Sequence, residues 1–311
     1  MTKTTYPHRI VTEGLGFPEG PVVLPDGRVL VCEIKNRCLT AVSPDGTKEV
    51  LVELDGAPNG AAVGADGALY ICNNGDGFAW GEPGGVTQPV GGNPAFSGGR
   101  IERVDLATGE VTELYRTIGG HDLLMPNDIV IDRDGGLWFT DHGTRTPRSF
   151  IHGGLYYGKP DGSYACEIAW PITTANGVGL SPDERTVYVA DTETGRLYSY
   201  AITGPGEIER PSPFEPGAAV LAQLEGFRRY DSLAVEACGN ICCAGLTPGC
   251  ISVISPEGKE VETVETPDPF TTNIAFGGPD MKTAYITCSG SGKLIAMDWP
   301  RPGLKPNFSG L

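Results

Sequence analysis

The 311 residues include 45 Gly and 26 Pro beside 40% hydrophobic residues, which suits a core interrupted by a tight turn every few positions. Regular apolar segments between those turns exclude a disordered chain. The formal charge of −16, with 23 Lys and Arg against 39 Asp and Glu and no basic run, excludes a phosphate-backbone partner such as nucleic acid.

From the N-terminus the predicted elements are short and β-rich. HRIVTEG stands alone as one strand. PVVL…RVLVCE then forms a hairpin about a PDG turn, and CLTAVSPDGTKEVLVE follows as a second hairpin. The same order recurs. GAAVG…ALYICN is followed by GRIERVDLATGEVTELY; DIVID…GLWFTD comes next; GVGLS…TVYVAD is followed by GRLYSYAITGPGEIE. SLAVE…NICCAG and NIAFG…TAYITC complete the series. Two hairpins make four strands, and no window of 11 or more residues carries a helical period.

A polar residue opens the first strand of each unit: Glu19, Asn59, Asn127, Asn176, Asp231 and Asn273. Seven positions later stand Asp26, Asp66, Asp134, Asp183, Cys238 and Asp280, so only the fifth unit lacks the Asp. The openings are spaced by 40, 68, 49, 55 and 42 residues, the size of a four-stranded propeller blade plus variable loops. The expected fold is therefore all-β: a six-bladed β-propeller formed by residues 1–311 as a single domain. The last unit ends one strand short at KLIAMDW, and HRIVTEG is predicted to complete it and close the ring.

Strands that alternate up and down place the six openings on one mouth with Glu33, Asn73, Asp141, His142 and Asp191. Two long loops leave from that face, 74–99 with Phe78, Trp80 and Phe96, and 142–153 with Arg145, Arg148 and His152. Loops of this length in a compact domain serve as lids or binding loops. Trp80, Asp141, His142, Arg148 and His152 are accordingly expected to contact substrate, with Asn59 and Asn273 in the same pocket.

Carboxylate and amide oxygens gathered at one mouth suit a hard divalent cation, and Ca²⁺ best tolerates ligands delivered by separate blades. Mg²⁺ and Mn²⁺ fit the same donors. Zn²⁺ has less support, because no His or Cys occupies an opening position. The nine Cys form no CxxC pair and read as free thiols in a reducing compartment. MTKTTYPHRI lacks the apolar core of a signal peptide, and no apolar run of about 18 residues could span a bilayer, so a cytoplasmic protein without membrane partner is expected. A GxSxG nucleophile elbow and an HExxH motif are both absent.

FPEGPVVLPDGRVLVCE, PNGAAVGADGALYI, PNDIVIDRDGGLWFTD, ANGVGLSPDERTVYVADT and NIAFGGPDMKTAYIT together resemble the senescence-marker-protein/gluconolactonase/luciferin-regenerating-enzyme-like family over nearly the whole chain. The resemblance implies a six-bladed propeller around one divalent metal and hydrolysis of a lactone. Position by position it implies Glu19, Asn127, Asn176 and Asp231 as metal ligands and Asp231 as general base. Two departures stand out. Asp231 is followed by Ser232 where Gly is common, and Met125 occupies a position where some sugar-lactone hydrolases carry Arg. A sugar or a less polar γ- or δ-lactone is the expected substrate, with no protein partner evident. An organophosphate hydrolase on the same fold, or a non-catalytic ligand-binding propeller, are the alternatives.

Overall fold

The computed structural model describes residues 3–146, 148–210, 219–226 and 228–310. Among them the chain is β-structure throughout, relieved only by 3-10 turns at Pro83–Gly85 and Ser289–Ser291. Six sheets carry the predicted units as blades. Their innermost strands are Pro18–Val23, Pro58–Val63, Pro126–Ile131, Ala175–Leu180, Arg229–Val235 and Thr271–Gly277. Each inner strand packs on those of the two neighbouring blades, and the first packs on the sixth.

The spacing of the units follows from two local devices. At the far end of the inner hairpins, Asp26, Asp66, Asp183 and Asp280 each accept the backbone N–H two residues on, which fixes a tight turn. In blade three Asp132, two residues before Asp134, does this work, accepting from Asp134 N and Gly136 N. In blade five Glu236 stands in for the missing Asp and accepts from the Asn240 amide at 2.8 Å.

The second device lies at the mouth end. In every inner strand the pairing slips by one residue at or beside the opening position, as where Pro126 pairs Asp141 but Ile129 pairs Phe139. An extra residue bends the strand and re-aims its side chain. The opening residue is thereby released from the regular alternation and turned to the axis. The residue that follows lies against the next blade. A Cβ on Gly20, at φ 47°, would sit 2.3 Å from the Asn59 carbonyl oxygen, and one on Gly177 would sit 2.7 Å from that of Asp231. Only a glycine permits such an approach.

Apolar side chains fill the wedges between blades, with Leu30, Leu39, Leu69 and Ile71 in the first and Tyr70, Ile101, Leu137 and Phe139 in the second. His8–Glu13 lies antiparallel on Lys293–Asp298 as the outer strand of blade six, while Lys3–Thr4 adds a parallel strand to blade five. Blade four departs from the sequence pattern. Its third strand, Arg196–Gly204, pairs with Glu207–Ile208 at one end and with Ala219–Ala222 at the other.

After Trp299 the chain crosses the face opposite the mouth. Gly303 N donates to Met281 O and Leu304 N to Val235 O, each at 2.8 Å; the Asn307 amide reaches Glu184 at 2.7 Å. This strap is clamped by Glu236, a carboxylate with no exposed surface that accepts from Trp299 Nε1 at 2.7 Å and Arg301 Nε at 2.6 Å. Those bonds hold the Glu236 carboxyl below its ordinary pKa in spite of burial. Among the described residues all nine cysteines are free, seven of them buried, and no helix is long and apolar enough to cross a membrane.

Candidate functional site

The six opening residues are brought together around the axis, none more than 8% exposed. Glu19 links the first and last blades: its Oε2 accepts from Gly20 N at 2.7 Å and from Asn273 Nδ2 at 2.8 Å. Asn176 donates Nδ2 to Thr192 Oγ1 at 3.1 Å, and its own Oδ1 lies 3.5 Å from Ser232 Oγ. Asn127 Oδ1 is buried without any partner. An orphaned carbonyl oxygen at such a depth costs about 1–3 kcal/mol unless something occupies the axis.

A further carboxylate stands in the ring that the reading of the openings missed. Asp128 follows Asn127 where blades one, two and four have Gly, and it accepts from Ile129 N at 3.0 Å and Val178 N at 3.2 Å. Aligning the six units would have exposed this odd acid. Burial pushes the Asp128 carboxyl up to about 7, with the Glu19 charge adding to the shift. Burial likewise raises Glu19 to about 7. Asp231 lies well above the ordinary carboxylate range, through burial first and Glu19 second. Among the described residues no three His, Cys, Asp or Glu side chains form a metal cluster by themselves. The donor set is mixed. Desolvated carboxylates that repel one another, beside a carbonyl oxygen left without a donor, fit a hard cation with carboxylate and amide ligands.

The strand ends beside the ring hold the mouth together. Asp141 accepts from Leu124 N, Met125 N and Gly143 N at 2.6–2.9 Å, and Asp191 accepts from Thr174 through both its N–H and its hydroxyl. Glu33 and Asn73 play matching parts, accepting from Gly16 N and donating to Asp55 O. Asp141 thus ties down the segment that enters the third inner strand, and all three of its bonds are to backbone.

The 74–99 loop is a folded flap. Phe78–Gly81 pairs with Gln88–Gly92, Thr87 N donates to Gly290 O at 3.0 Å, and Lys35 bonds Glu82 at 3.0 Å. Trp80 lies on Phe17, two residues before Glu19, with ring centroids 4.8 Å apart. Its indole Nε1 is buried and unpartnered. Phe96 is exposed. Met125 reaches beneath the flap toward Gly77.

The 142–153 loop, whose residue 147 lies outside the described residues, divides the predicted contacts. His142 is set in a recess where desolvation lowers its pKa to about 4, so the ring is neutral. Arg145 bonds Glu193 at 2.7 Å, and Glu193 accepts Arg229 Nη2 at 2.5 Å from the strand of Asp231. His152 instead faces outward, between Phe150 and Trp170. Arg148 is exposed, its backbone N donating to Thr146 Oγ1.

A six-bladed ring of oxygen-bearing side chains at one mouth defines the class of the molecule. The chain belongs to the SMP-30/Gluconolactonase/LRE-like family, whose model matches residues 17–290. It is 26% identical over 257 residues to lactonase drp35 of Staphylococcus saprophyticus, covering 82% of this chain and 69% of that protein. The drp35 lactonase of Staphylococcus epidermidis is 27% identical over 260 residues, with the same coverage. Among solved structures it superposes on a gluconolactonase from Xanthomonas campestris at TM-score 0.74, with 23% identity over 94% of this chain and 89% of the other. The calcium-binding protein regucalcin from Agrobacterium tumefaciens superposes at TM-score 0.76, with 20% identity over 99% and 98%. At such identities the two structures establish the shared fold.

Proposed function

We propose that the protein is a metal-dependent lactonase that opens a small cyclic ester to its hydroxy acid. The observation that carries this reading is the axial ring, where Asn127 Oδ1 is orphaned beside mutually repelling buried carboxylates. The drp35 relatives, named lactonases, support the activity, and the regucalcin likeness agrees with Ca²⁺ as the ion. Glu19, Asn127, Asn176 and Asp231 would hold it, with Asp128 close by. When bound, a divalent cation supplies Lewis-acid stabilisation of charge on a carbonyl oxygen.

The chain's own groups account for the remainder. Thr192 fixes the Asn176 amide through its Nδ2, while the Oδ1 takes a long 3.5 Å bond from Ser232 Oγ. Asn273 and Gly20 N fix the Glu19 carboxylate. Asp231 takes the proton of the attacking water, the water oxygen bonds the acyl carbon, and the ring C–O bond breaks. The departing alkoxide then takes up that proton, which leaves a hydroxy acid. Asn59 and Asn273 line the pocket; Trp80 and His142 contribute substrate contacts from the rim, Asp141 contributes by holding the rim in place, and the exposed Arg148 and the outward-facing His152 are left out of the contact set. The outer strand His8–Glu13 is read as the closure of the ring, supported by its pairing on Lys293–Asp298.

Acid release from a panel of sugar, γ-alkyl and aryl lactones, with chelator-stripped and Ca²⁺-reloaded protein, tests the proposal. Turnover that vanishes on stripping and returns on reloading is expected. No turnover of any lactone, against hydrolysis of a phosphotriester, would overturn it in favour of a phosphotriesterase.

A further inference from the structure

One layer below the ring the six inner strands again bring equivalent residues to the axis. The register identifies them: Val22, Ala62, Val130, Gly179, Ala234 and Ala275 stand opposite Leu30, Tyr70, Trp138, Tyr188, Cys242 and Tyr285. No residue larger than valine occurs in the set. Six blades surround a central channel, and side chains this short leave it open. The result is a cavity of about 460 Å³, which all six residues line. Val22, Ala62, Val130, Ala234 and Ala275 are accordingly only partly buried, although they lie at the centre of the molecule.

This cavity is separate from the mouth. Gly20, Asp128 and Asn273 form its ceiling, and the described residues that line it do not include Glu19, Asn127, Asn176 or Asp231. The C-terminal strap forms its floor through Leu304 and Pro306. Arg133 and Lys305, both exposed, stand at its edge, so it reaches solvent there. The polar groups of the ceiling are engaged within the protein, Asp128 by Ile129 N and Val178 N, Asn273 by Ile274 N and Glu19. At the floor Glu184 likewise holds Arg133 and Asn307. The walls between are aliphatic apart from Phe276. A buried water needs two to four polar partners, and an apolar space that offers few of them takes apolar guests instead. A charged group would be costly to bury here without a partner. The volume falls within the range of small-molecule sites. From Asp128 to Ile131 the wall runs for three residues of strand, about 10 Å, the length of a medium alkyl chain.

We propose that this cavity is a second binding site, for an uncharged aliphatic molecule of medium chain length such as an alkanol. The ligand enters past the strap and lies along the axis beneath the ring, its chain against the short side chains of the six strands. The site depends neither on a metal nor on the lactonase reading, because the residues of the ring and of the mouth loops contribute nothing to its walls.

Octan-1-ol titrated calorimetrically into the intact, Ca²⁺-loaded chain tests the proposal. Saturable binding at one site per chain is expected. Ala62→Phe fills the void and should weaken that binding by roughly tenfold or more, since keeping about two methylenes out of an apolar site forfeits that much affinity. Should Ala62→Phe not fold, Ala234→Leu fills the same space from the opposite side of the axis and is read in the same way. Trp80→Ala, altered at the mouth, should bind the alcohol as wild type does. The absence of saturable binding to wild type overturns the proposal, and so does equal affinity in the folded cavity-filling variant. A loss confined to Trp80→Ala would put the alcohol at the mouth and overturn it as well.

Discussion

Above and below the ring of opening residues the same six inner strands build two different environments. On the mouth side their bulged ends carry Glu19, Asn127, Asn176 and Asp231, with hydrogen bonds left open and charges crowded together. On the other side the strands resume regular alternation and enclose a cavity of about 460 Å³ lined by Val22, Ala62, Val130, Leu180, Val235 and Phe276. Leu304, Pro306 and Asn307 of the C-terminal strap line its far end. One residue of slippage per strand separates the two. Among the described residues the unpaired buried polar atoms, Glu260 Oε2 apart, collect on the side that would meet a ligand, and the apolar contacts collect on the side that holds the barrel of strands together. Strain gathered at one end of a rigid scaffold is what a reactive site requires.

Substitutions that strike one side and spare the other would sharpen that contrast. The largest effect is expected from Asp231→Asn. Asn keeps an oxygen for a hard cation but cannot take a proton from water, so kcat should fall by roughly two to four orders of magnitude while Ca²⁺ still binds. Near-normal turnover in Ca²⁺-loaded Asp231→Asn protein would exclude the base role. On the strap side, Arg301→Met leaves the fully buried Glu236 without its ion pair. It should cost about 3 kcal/mol in denaturant unfolding, the lower limit of the range for a broken buried pair because Arg301 is partly exposed. The folded Arg301→Met fraction should keep wild-type kcat; a fall in kcat matching the loss of stability would show that the two sides are not separable.

Glu19→Gln comes next. It removes one carboxylate from the ring and should weaken Ca²⁺ binding by roughly tenfold or more in calorimetry. An unchanged affinity would remove Glu19 from the ligand set.

The smallest expected effect concerns acid and alkali. Asp128 is raised from 3.8 to about 7 and Glu19 from 4.5 to about 7. Between those limits the folded, metal-stripped chain holds protons that the unfolded chain has released. Stability must therefore fall as pH rises from about 4.5 to 7. Calorimetric Tm of stripped protein should be a few degrees higher at pH 5 than at pH 8, and Asp128→Asn should flatten the slope. Ca²⁺ should reverse it, since cation and proton compete for the same carboxylates. A Tm of stripped protein that climbs with pH would contradict the account of the ring.

Much of this was legible in the sequence because its causes are local. The turn aspartates bond their own neighbours, and the polar opening of each strand lies at a fixed distance from them, so the six units and the six residues on the axis could be counted from spacing alone. Asp134 shows the limit of counting. It occupies the expected position while Asp132 makes the bonds.

What the tertiary structure decided depends on residues far apart along the chain. Asp128 becomes part of the ring only because Val178 and Glu19 are brought to it from other blades. The Arg145–Glu193–Arg229 bridge joins three blades, and Glu236 meets Trp299 and Arg301 more than 60 residues onward. His142 and His152, ten residues apart on one loop, part into a desolvated recess and an exposed aromatic group. Backbone hydrogen bonding at turns and bulges acts within a few residues and leaves a periodic trace in the sequence. Burial, charge pairing and orphaned polar atoms arise only when the ring closes, and they determine which of the candidate residues are drawn into the ring and which tie down the mouth.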